Sequence, residues 1–423
     1  MKNTILYIGN FTFPLGNAAG KRVYANGKLL KELGYEVVYI GVSKELKLLK
    51  PLKESKKEYD GFTYYEFPYP NKSLDWINYK KTFSSLIKFL TDEKLLGKLG
   101  MVIYYGSPSV SIFISKVIKY CKRQEINVVA DCVDWLTTKT NNPIFDIVKW
   151  ADNTYQKAYL NKKADGVIAI SSYLSNYYKK YGCKTVIIPP LSPVKYKMIE
   201  KSSINSDRKI LSYAGLPFRK GQPVTNLNTL KDRIDKTIIL LHQAKRNGCK
   251  FTFNIYGFTK DEYLQAIPDQ KLYVNQLDDY IIFHGPKPNN EVVENIIKSD
   301  FTILIRDFNR DTSAGFPTKV SESISCGTPV ITTKTSDLQE YIVEGENGFF
   351  VNTEIDNAAL KIQEILSMNM NEIKVMKKKC LTFKGFQYEN HIEKVDEFLG
   401  GVLNEKAYQY GYIQKQRKDK TTK

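Results

Sequence analysis

The residues with the clearest chemical potential lie in the stretch AGFPTKVSESISCGTPVITT, at 314–333. Proline is favoured at the start of a helix and glycine just after its end, so the stretch predicts a helix from Pro317 through about Cys326 that stops at Gly327. Backbone amides of the Ala-Gly-Phe segment before this helix can approach a ligand closely. Because the positive end of the helix dipole lies behind them, they favour a phosphate or a diphosphate.

A carboxylate, Glu322, stands inside this predicted helix. It would lie roughly 7–8 Å along the axis from the first residue, so it can accept hydrogen bonds from a ribose while the diphosphate stays at the amides. The alternative is an i, i+3 surface pair with Lys319. Helices of such small residues usually pack tightly, and an unpaired glutamate there would be costly. The pattern favours a nucleoside diphosphate lying along the helix.

A second candidate for phosphate binding is YAGLPFRKG, at 213–221. A strand is predicted to end at Gly215, and the loop after it presents Arg219 and Lys220. Adjacent cations at the carboxyl end of a strand can neutralise a diphosphate, and arginine can make a two-pronged contact. The alternative is a solvated basic turn, which is the commoner meaning of such a pair.

Apolar, β-branched runs alternate with amphipathic stretches along the chain, which is typical of βαβ units and a parallel sheet. The first series lies at 4–9, 36–42, 101–105, 126–131, 166–171 and 185–190, and the second at 210–215, 250–257, 280–285, 301–306 and 328–333. We predict an α/β fold with two doubly wound Rossmann-like domains. They would face each other across a cleft, because ligands of such sheets sit at the carboxyl ends of the strands.

The connection between the two series carries Pro189, Pro190 and Pro193, which favour an extended chain. The predicted parts are an N-terminal domain at 1–195, a C-terminal domain at 205–385, a C-terminal helix crossing back to the N-terminal domain at 386–410, and a basic tail at 411–423.

Composition narrows the class of protein. The formal net charge of +18 suits an anionic partner such as nucleic acid, an acidic membrane surface or a phosphorylated substrate, although a lysine-rich solvated coat would give the same number.

Six widely spaced cysteines without a C-x-x-C pair fit reduced thiols in a cytosol. The apolar run at 4–9 is too short for a signal peptide, and no run approaches the ~18 apolar residues of a spanning helix. We expect a cytoplasmic protein, in contact at most with the inner face of the cell membrane.

The ordered set of motifs resembles the GT-B glycosyltransferases, specifically the retaining enzymes of family 4, which holds many capsule and lipopolysaccharide transferases. The resemblance covers nearly the whole chain. The matching segments, in the family's order, are 18–40, 164–171, 213–221, 281–285, 298–306, 314–331 and 344–351. It implies a hexosyltransferase that moves a sugar, with retention, from a nucleoside diphosphate sugar on the C-terminal domain to a hydroxyl of a saccharide or lipid-linked saccharide on the N-terminal domain, in bacterial surface polysaccharide synthesis.

The resemblance also implies roles for residues of both domains. Glu322 would hold the ribose of the donor, and Lys220 with Arg219 would balance the leaving diphosphate. The residues that would line the donor are Gly315, Phe316 and Thr318 near the diphosphate and the sugar, and Gly20 from the other domain.

One departure from the family concerns a second glutamate, usually eight positions before the one at Glu322. That position is Ala314 here. In the family this acid touches the donor sugar, so the identity of the sugar is left open. Arg306, Asp307 or Lys319 can take over contacts with the sugar or the phosphates.

Another departure concerns histidine, which the family often places in the N-terminal domain near the reacting carbon. All three histidines of this chain lie in its second half. The segment VVADCVDW, at 128–135, falls where the histidine loop of the family would be. Asp131 or Asp134 would then assist the acceptor hydroxyl as a base, or they would cap the helix that follows.

No D-x-D run, the usual sign of a metal-bridged diphosphate, occurs in the chain. We therefore expect no cofactor and no metal. Charge growing on the departing diphosphate would be stabilised by Arg219, Lys220 and the amides near Gly315.

The segment at 75–98 mixes aromatic residues such as Trp76 and Phe83 with lysines such as Lys80 and Lys81. A basic amphipathic helix of this kind can lie on an anionic membrane. The alternative is a stripe that faces the protein core, with a lysine-rich outer face.

Three other functions compete. A dehydrogenase would need G-x-G-x-x-G after the first strand, where IGNFTFPLGNAAG stands instead. A sugar-nucleotide epimerase of the same two-domain plan is the closer alternative, but it would need acids and histidines in the cleft, and histidine is scarce. A basic nucleic-acid-binding protein is permitted by charge, yet no helix-turn-helix, RNA-binding or zinc signature is present, so we expect no nucleic acid partner.

Overall fold

The computed structural model describes residues 2–46, 51–69, 73–106, 111–135, 143–192, 196, 208–352 and 354–403, with the backbone alone at 73–81, 143–145 and 355. The chain forms two compact units. One is Met1–Pro193 together with Gln387–Lys423, and the other is Val194–Phe386.

The first unit contains a sheet with helices between its strands. The strands are β1 Thr4–Gly9, β2 Glu36–Ser43, β3 Lys57–Tyr59, β4 Phe62–Pro68, β5 Leu99–Tyr105, β6 Asn127–Cys132, β7 Gly166–Ala169 and β8 Thr185–Ile187. The helices are α1 Ala18–Glu32, α2 Ser73–Asp92, α3 Ser111–Arg123, α4 Pro143–Tyr155 and α5 Ser172–Lys179, with α14 Ile392–Val402 from the C-terminal segment. The strand order is β3-β4-β2-β1-β5-β6-β7-β8, and only β3 runs antiparallel to its neighbour.

The second unit contains a fully parallel sheet. Its strands are β9 Lys209–Ala214, β10 Phe251–Tyr256, β11 Ile281–Gly285, β12 Phe301–Leu304, β13 Val330–Thr332 and β14 Gly348–Phe350. Its helices are α6 Ile234–Arg246, α7 Lys260–Ala266, α8 Lys271–Gln276, α9 Asn289–Lys298, α10 Arg310–Ala314, α11 Thr318–Ser325, α12 Ile355–Ser367 and α13 Met370–Thr382. The order β11-β10-β9-β12-β13-β14 reverses between β9 and β12, which is the doubly wound Rossmann pattern and places a crevice between the carboxyl ends of these two strands.

The central strands consist of continuous apolar residues, as expected for sheets that helices cover on both faces. In β1, for example, Ile5, Leu6, Tyr7 and Ile8 are all at most 2% exposed. Residues of α14 complete this core, since Val395 and Leu399 join the same cluster as the β1 side chains. The predicted fold of two doubly wound domains is confirmed. Every predicted strand is present, while β3, β4 and β14 escaped the sequence patterns.

The helix predicted at 75–98 forms as α2, and from Thr82 onward its apolar side chains face inward. Leu86, Phe89 and Leu90 are at most 4% exposed, and the ring of Phe89 lies 4.6 Å from that of Tyr65. The core-facing alternative is therefore the right one for this part of the helix. The side chains of Trp76, Lys80 and Lys81 lie outside the described residues. Among the described helices, none has the length and apolar character needed to cross a bilayer.

Candidate functional site

A cavity of about 330 Å³ opens in the second unit at the carboxyl ends of β9, β10 and β11. It is lined by Tyr196, Ala214, Gly215, Tyr256, Gly257, Pro286, Lys287, Asn289, Val292, Val293, Ile296, Glu322 and Cys326. Two glycines of the lining, Gly215 and Gly257, leave space in the cavity because they have no side chain. Gly257 has a φ of 119°, and a Cβ there would clash with the carbonyl oxygen of Gly215, so neither strand end tolerates a larger residue without a shift.

Glu322 reaches this cavity from α11. The helix begins at Thr318, one residue later than predicted, with Pro317 as its N-cap; it ends at Ser325, with Cys326 as the C-cap and Gly327 at a φ of 78°. Pro317 offers no side chain to cap the first amides of the helix, which leaves the N-terminus suited to an anionic ligand. The stop at Gly327 is confirmed.

Lys319, one turn before Glu322, belongs to a buried ionic network between the ends of β9 and β12. Its Nζ lies 2.8 Å from Oδ2 of Asp232, and the hydroxyl of Tyr213 donates to the same oxygen at 2.9 Å. Arg306 binds the other oxygen, Oδ1, through Nε at 2.7 Å and Nη2 at 2.6 Å. One carboxylate thus holds two cations.

The charge of this network is not balanced. Burial on its own would raise the pKa of Asp232, but the charges of Lys319 and Arg306 outweigh it and hold that pKa far below its usual range. The carboxylate is therefore ionised, and with two cations the network carries one surplus positive charge. Nη1 of Arg306 is buried and has no hydrogen-bond acceptor among the described residues. An anionic group beside the network would balance the surplus positive charge and accept a hydrogen bond from Nη1 of Arg306.

A neighbouring network is balanced. Arg233 binds Asp235, with Nη2 2.7 Å from Oδ2, and also Asp307. Asp307 accepts from Lys236 at 2.6 Å. Asp307 was predicted as an alternative contact for the donor sugar. Its carboxylate is already bound by two cations, Arg233 and Lys236.

Arg219 and Lys220 are exposed in the loop after β9. Lys220 Nζ lies 2.7 Å from Oε1 of Glu262, a residue of the capping box that begins α7. Within the described residues, the lining of the cavity includes neither of these two cations. Lys319, by contrast, packs against Gly215 of the cavity wall. The contact is so close that a Cβ added to Gly215 would lie 2.5 Å from Cε of Lys319.

The segment before α11 is more enclosed than predicted. Phe316 is 5% exposed and packs edge-on against Tyr341, with ring centroids 5.3 Å apart, so its side chain anchors the loop in the core. The amide of Gly315 donates to the carbonyl oxygen of Asp311. Thr318, half-buried at the first helical position, is the residue of this segment best placed to offer an amide.

In the first unit, Asp131 is fully buried and bound by several groups. Arg22 Nη2 lies 2.8 Å from its Oδ1, and Tyr7 donates to Oδ2 at 2.6 Å. Such contacts are those of a structural ion pair, and the position has no access for an acceptor hydroxyl. Asp134 is half-buried. Since α4 begins only at Pro143, neither aspartate caps it.

Gly20 also has a structural explanation. Its amide donates to Oδ1 of Asn17, the N-cap of α1, at 2.7 Å. A Cβ at Gly20 would clash with the carbonyl oxygen of Thr12, so glycine is needed for the loop to pass over the helix. This amide is not open toward a phosphate.

The sequence patterns missed Asp232, because it lies in a charged run, LKDRID, that looks like an ordinary helix entry. They also missed the aromatic pair beside the cavity. His284 stacks on Tyr256 with ring centroids 4.6 Å apart, and its Nε2 lies 2.8 Å from Oδ1 of Asn254. No local pattern signals either arrangement.

Residues 230–380 match the family model described as "Glycosyl transferases group 1", a range that contains Asp232, Arg306, Lys319 and Glu322. Each unit has a Rossmann-like fold built on a largely parallel sheet, and the solved structures that the chain resembles are GT-B glycosyltransferases. The chain is similar to the putative colanic acid biosynthesis glycosyltransferase WcaL of Salmonella typhimurium, with 25% identity over 203 residues, or 47% of this chain and 46% of that protein. The match thus spans less than half the length of this curated relative.

Solved structures resemble the whole chain in fold. The catalytic domain of starch synthase IV from Arabidopsis thaliana, bound to ADP and acarbose, has a TM-score of 0.64 at 12% identity, covering 96% of this chain and 100% of that one. Anabaena Alr3699/HepE in complex with UDP has a TM-score of 0.58 at 13% identity, covering 94% and 99%. At such identities the likeness concerns the fold alone.

Proposed function

We propose that this protein is a retaining glycosyltransferase that moves a sugar from a nucleoside diphosphate sugar to a hydroxyl of a saccharide or lipid-linked saccharide, in the synthesis of a bacterial surface polysaccharide. The observation that carries the proposal is the placement of Glu322 in the cavity one helical turn from Lys319, whose network holds a surplus positive charge. A nucleoside with an attached diphosphate needs these two features at this spacing.

The nucleoside would occupy the cavity. Its volume of about 330 Å³ lies in the range of small-molecule sites. The carboxylate of Glu322 would accept hydrogen bonds from the ribose hydroxyls. The structural relatives bound to UDP and ADP support a nucleoside diphosphate as the ligand class.

The diphosphate would lie at the start of α11. The donors would be Lys319 Nζ, the amide of Thr318 and Nη1 of Arg306, which has no acceptor among the described residues. Arg219 and Lys220 lie in the exposed loop after β9, with Lys220 paired to Glu262. As the bond between the anomeric carbon and the diphosphate oxygen breaks, negative charge grows on that oxygen, and preorganised donors stabilise it. No metal is required for this step in the proposal.

Asp134 remains our candidate for the base that takes the proton of the acceptor hydroxyl as the new glycosidic bond forms. Asp131 is not assigned a role in proton transfer, because its ion pair with Arg22 uses the carboxylate. Retention of anomeric configuration and the nature of the acceptor rest on the sequence resemblance, whereas the cytoplasmic location rests on the cysteine spacing and the apolar runs of the sequence.

Isothermal titration calorimetry with UDP, ADP, GDP, CDP and dTDP tests the donor site. We expect one of these to bind, and Glu322→Gln to weaken it by at least about 10-fold, since a charge-assisted hydrogen bond is worth more than about 1.4 kcal/mol. Glu340→Gln, an exposed carboxylate of the same unit, is the matched control and should bind like the wild type. Absence of binding by all five nucleotides, or equal binding by Glu322→Gln, would contradict the proposal.

Analysis of the reaction products separates transfer from the epimerase alternative. The protein, the donor that binds and a saccharide acceptor mixture should yield a new glycoside together with the free nucleoside diphosphate. Nuclear magnetic resonance of the anomeric proton then tests retention. Conversion of the donor to an epimer, with no glycoside formed, would favour the epimerase.

A further inference from the structure

Helix α4 of the first unit, continued by a π-helical turn at Gln156–Leu160, buries several of its polar side chains. Asn153, Gln156 and Lys157 are at most 5% exposed. The ammonium of Lys157 donates to the carbonyl oxygen of Asp134. This pattern is the reverse of an ordinary surface helix, whose apolar face packs on the core and whose polar face meets water.

The outward face of the same helix is apolar and aromatic. The residues that form it, named here the α4 face, are Ile147 at 65% exposure, Val148 at 61%, Trp150 at 64%, Tyr155 at 40% and Tyr159 at 46%. At about 100° per residue, positions 148 and 155 of α4 lie close together, with 147 and 150 to one side of them, so these exposed side chains cover about half of the helix circumference. Contiguous exposure of large apolar side chains on this scale marks an interaction site.

The α4 face continues onto the start of α3. The amide of Ser111 donates to Oδ1 of Asp152 at 3.3 Å, which fastens the two helices together. The next residue of α3, Ile112, is 62% exposed. The apolar surface therefore extends across two helices.

Cations border the aromatic end of the α4 face. The ammonium of Lys163 donates to the hydroxyl of Tyr159 and lies 4.0 Å from the centroid of its ring. The hydrogen bond and charge of Lys163, with the charge of Lys119, lower the pKa of Tyr159. Nearby, Lys162 sits over the ring of Tyr181, which is 57% exposed. Tryptophan, tyrosine and lysine around a patch of isoleucine and valine are the residues that settle at the boundary of a bilayer.

We propose that the α4 face docks this protein on an anionic lipid surface, with Ile147, Val148 and Trp150 entering the headgroup region and Lys119 and Lys163 facing the lipid phosphates. Charge favours this partner over a second copy of the chain. The formal net charge is +18, and self-association through the same patch would bring the lysines of both copies together. The surface is on α4 and not on α2, whose described apolar residues pack inward.

Vesicle co-sedimentation tests the assignment with full-length protein. Vesicles of phosphatidylcholine with phosphatidylglycerol should bind the wild type, and vesicles of phosphatidylcholine alone should bind it at least about 10-fold less, because the electrostatic part is lost. The double variant Val148→Ser/Trp150→Ser should bind the anionic vesicles at least about 10-fold less than wild type. Circular dichroism melting confirms that this variant is folded.

Two matched variants sharpen the result. Leu272→Ser/Val375→Ser removes apolar side chains that are 63% and 57% exposed on the second unit, and it should bind like the wild type. Lys80→Glu/Lys81→Glu on α2 should also keep most of the binding. Equal binding by the α4 double variant, or loss of binding only in the α2 variant, overturns the proposal. So does a wild type that binds no vesicles but forms a dimer, by light scattering, that the α4 variant lacks.

Discussion

Lys319 and Glu322 lie one helical turn apart on α11, yet they serve different surroundings. Lys319 turns its ammonium to the buried carboxylate of Asp232, whereas Glu322 lines the cavity. A surface pair between them was the alternative that the sequence left open. In the proposed donor site, this division would let a single short helix present a cation to the diphosphate and a carboxylate to the ribose.

Asp232→Asn should destabilise the second unit strongly. The substitution leaves two cations, one of them the buried Arg306, without their carboxylate. Breaking a buried ion pair in this way costs about 3–5 kcal/mol of the free energy of unfolding. Urea unfolding followed by circular dichroism measures the loss. Asp279→Asn, at an exposed carboxylate, should stay within about 0.5 kcal/mol of wild type. A loss below about 1 kcal/mol for Asp232→Asn would show that the network is not a structural unit.

Lys319→Gln should reduce kcat/KM by at least about 100-fold, because it removes a preorganised cation from the departing diphosphate. Lys220→Gln should reduce it by less than about 10-fold, since Lys220 is exposed and paired with Glu262. Steady-state kinetics with the donor identified by calorimetry measures both. The opposite ranking would restore the assignment of Arg219 and Lys220 as the main cations, as the sequence resemblance implies.

Val293→Trp should fill the cavity and abolish nucleotide binding. Val293 is half-buried on α9 and belongs to the cavity lining. Its neighbour Glu294 is exposed, so Glu294→Trp adds the same bulk on the solvent side and should leave binding unchanged. Calorimetry with the preferred nucleoside diphosphate compares the two variants. Unimpaired binding by Val293→Trp would place the nucleoside elsewhere.

Stability should fall in mild acid, in part through His284. Burial and then the charge of Lys287 hold the pKa of His284 below its usual range. A lowered pKa means that the unfolded state binds the proton first, so this contribution is full above about pH 6.5 and declines as the pH falls toward the folded-state pKa. Lys287→Gln should raise the pKa of His284, measured by nuclear magnetic resonance titration, and reduce this slope. An unchanged pKa in that variant would remove Lys287 as a cause.

Chelation should leave the transferase active. If the network around Asp232 and the start of α11 supply the positive charge, activity after dialysis against EDTA should stay within about 2-fold of the untreated protein. Added Mg²⁺ or Mn²⁺ should change it little. A loss that either ion restores would show that the diphosphate is bound through a metal.

The parts that the sequence predicted well are those governed by local patterns. Strand positions follow from short apolar runs, and the end of α11 follows from the need for a left-handed residue at Gly327. The position of Glu322 inside α11 could be predicted because its distance from the start of one helix is a local quantity, while its role at the donor stays a prediction. The inward face of α2 was ambiguous in the sequence, since a stripe of aromatic residues suits a core as well as a bilayer.

The parts that escaped prediction depend on contacts between distant segments. Asp232 meets Arg306 and Lys319, which are 74 and 87 residues away along the chain, so no window of sequence reveals the network. The burial of Asp131 depends likewise on Arg22, 109 residues away. The burial of Lys157 behind α4 belongs to the same class, since its ammonium donates to the carbonyl oxygen of Asp134, 23 residues away.

The return of α14 to the first unit bears on how the chain reaches its native state. Val395 and Leu399, each 1% exposed, complete a core that begins with Ile5, so the first unit remains unfinished until the second has emerged from the ribosome. The second unit is one continuous segment inserted between the two segments of the first unit, so it can fold before the first unit is complete. A fragment ending at Pro193 would therefore leave part of its apolar core exposed to water, whereas the second unit has all of its described strands in one continuous segment.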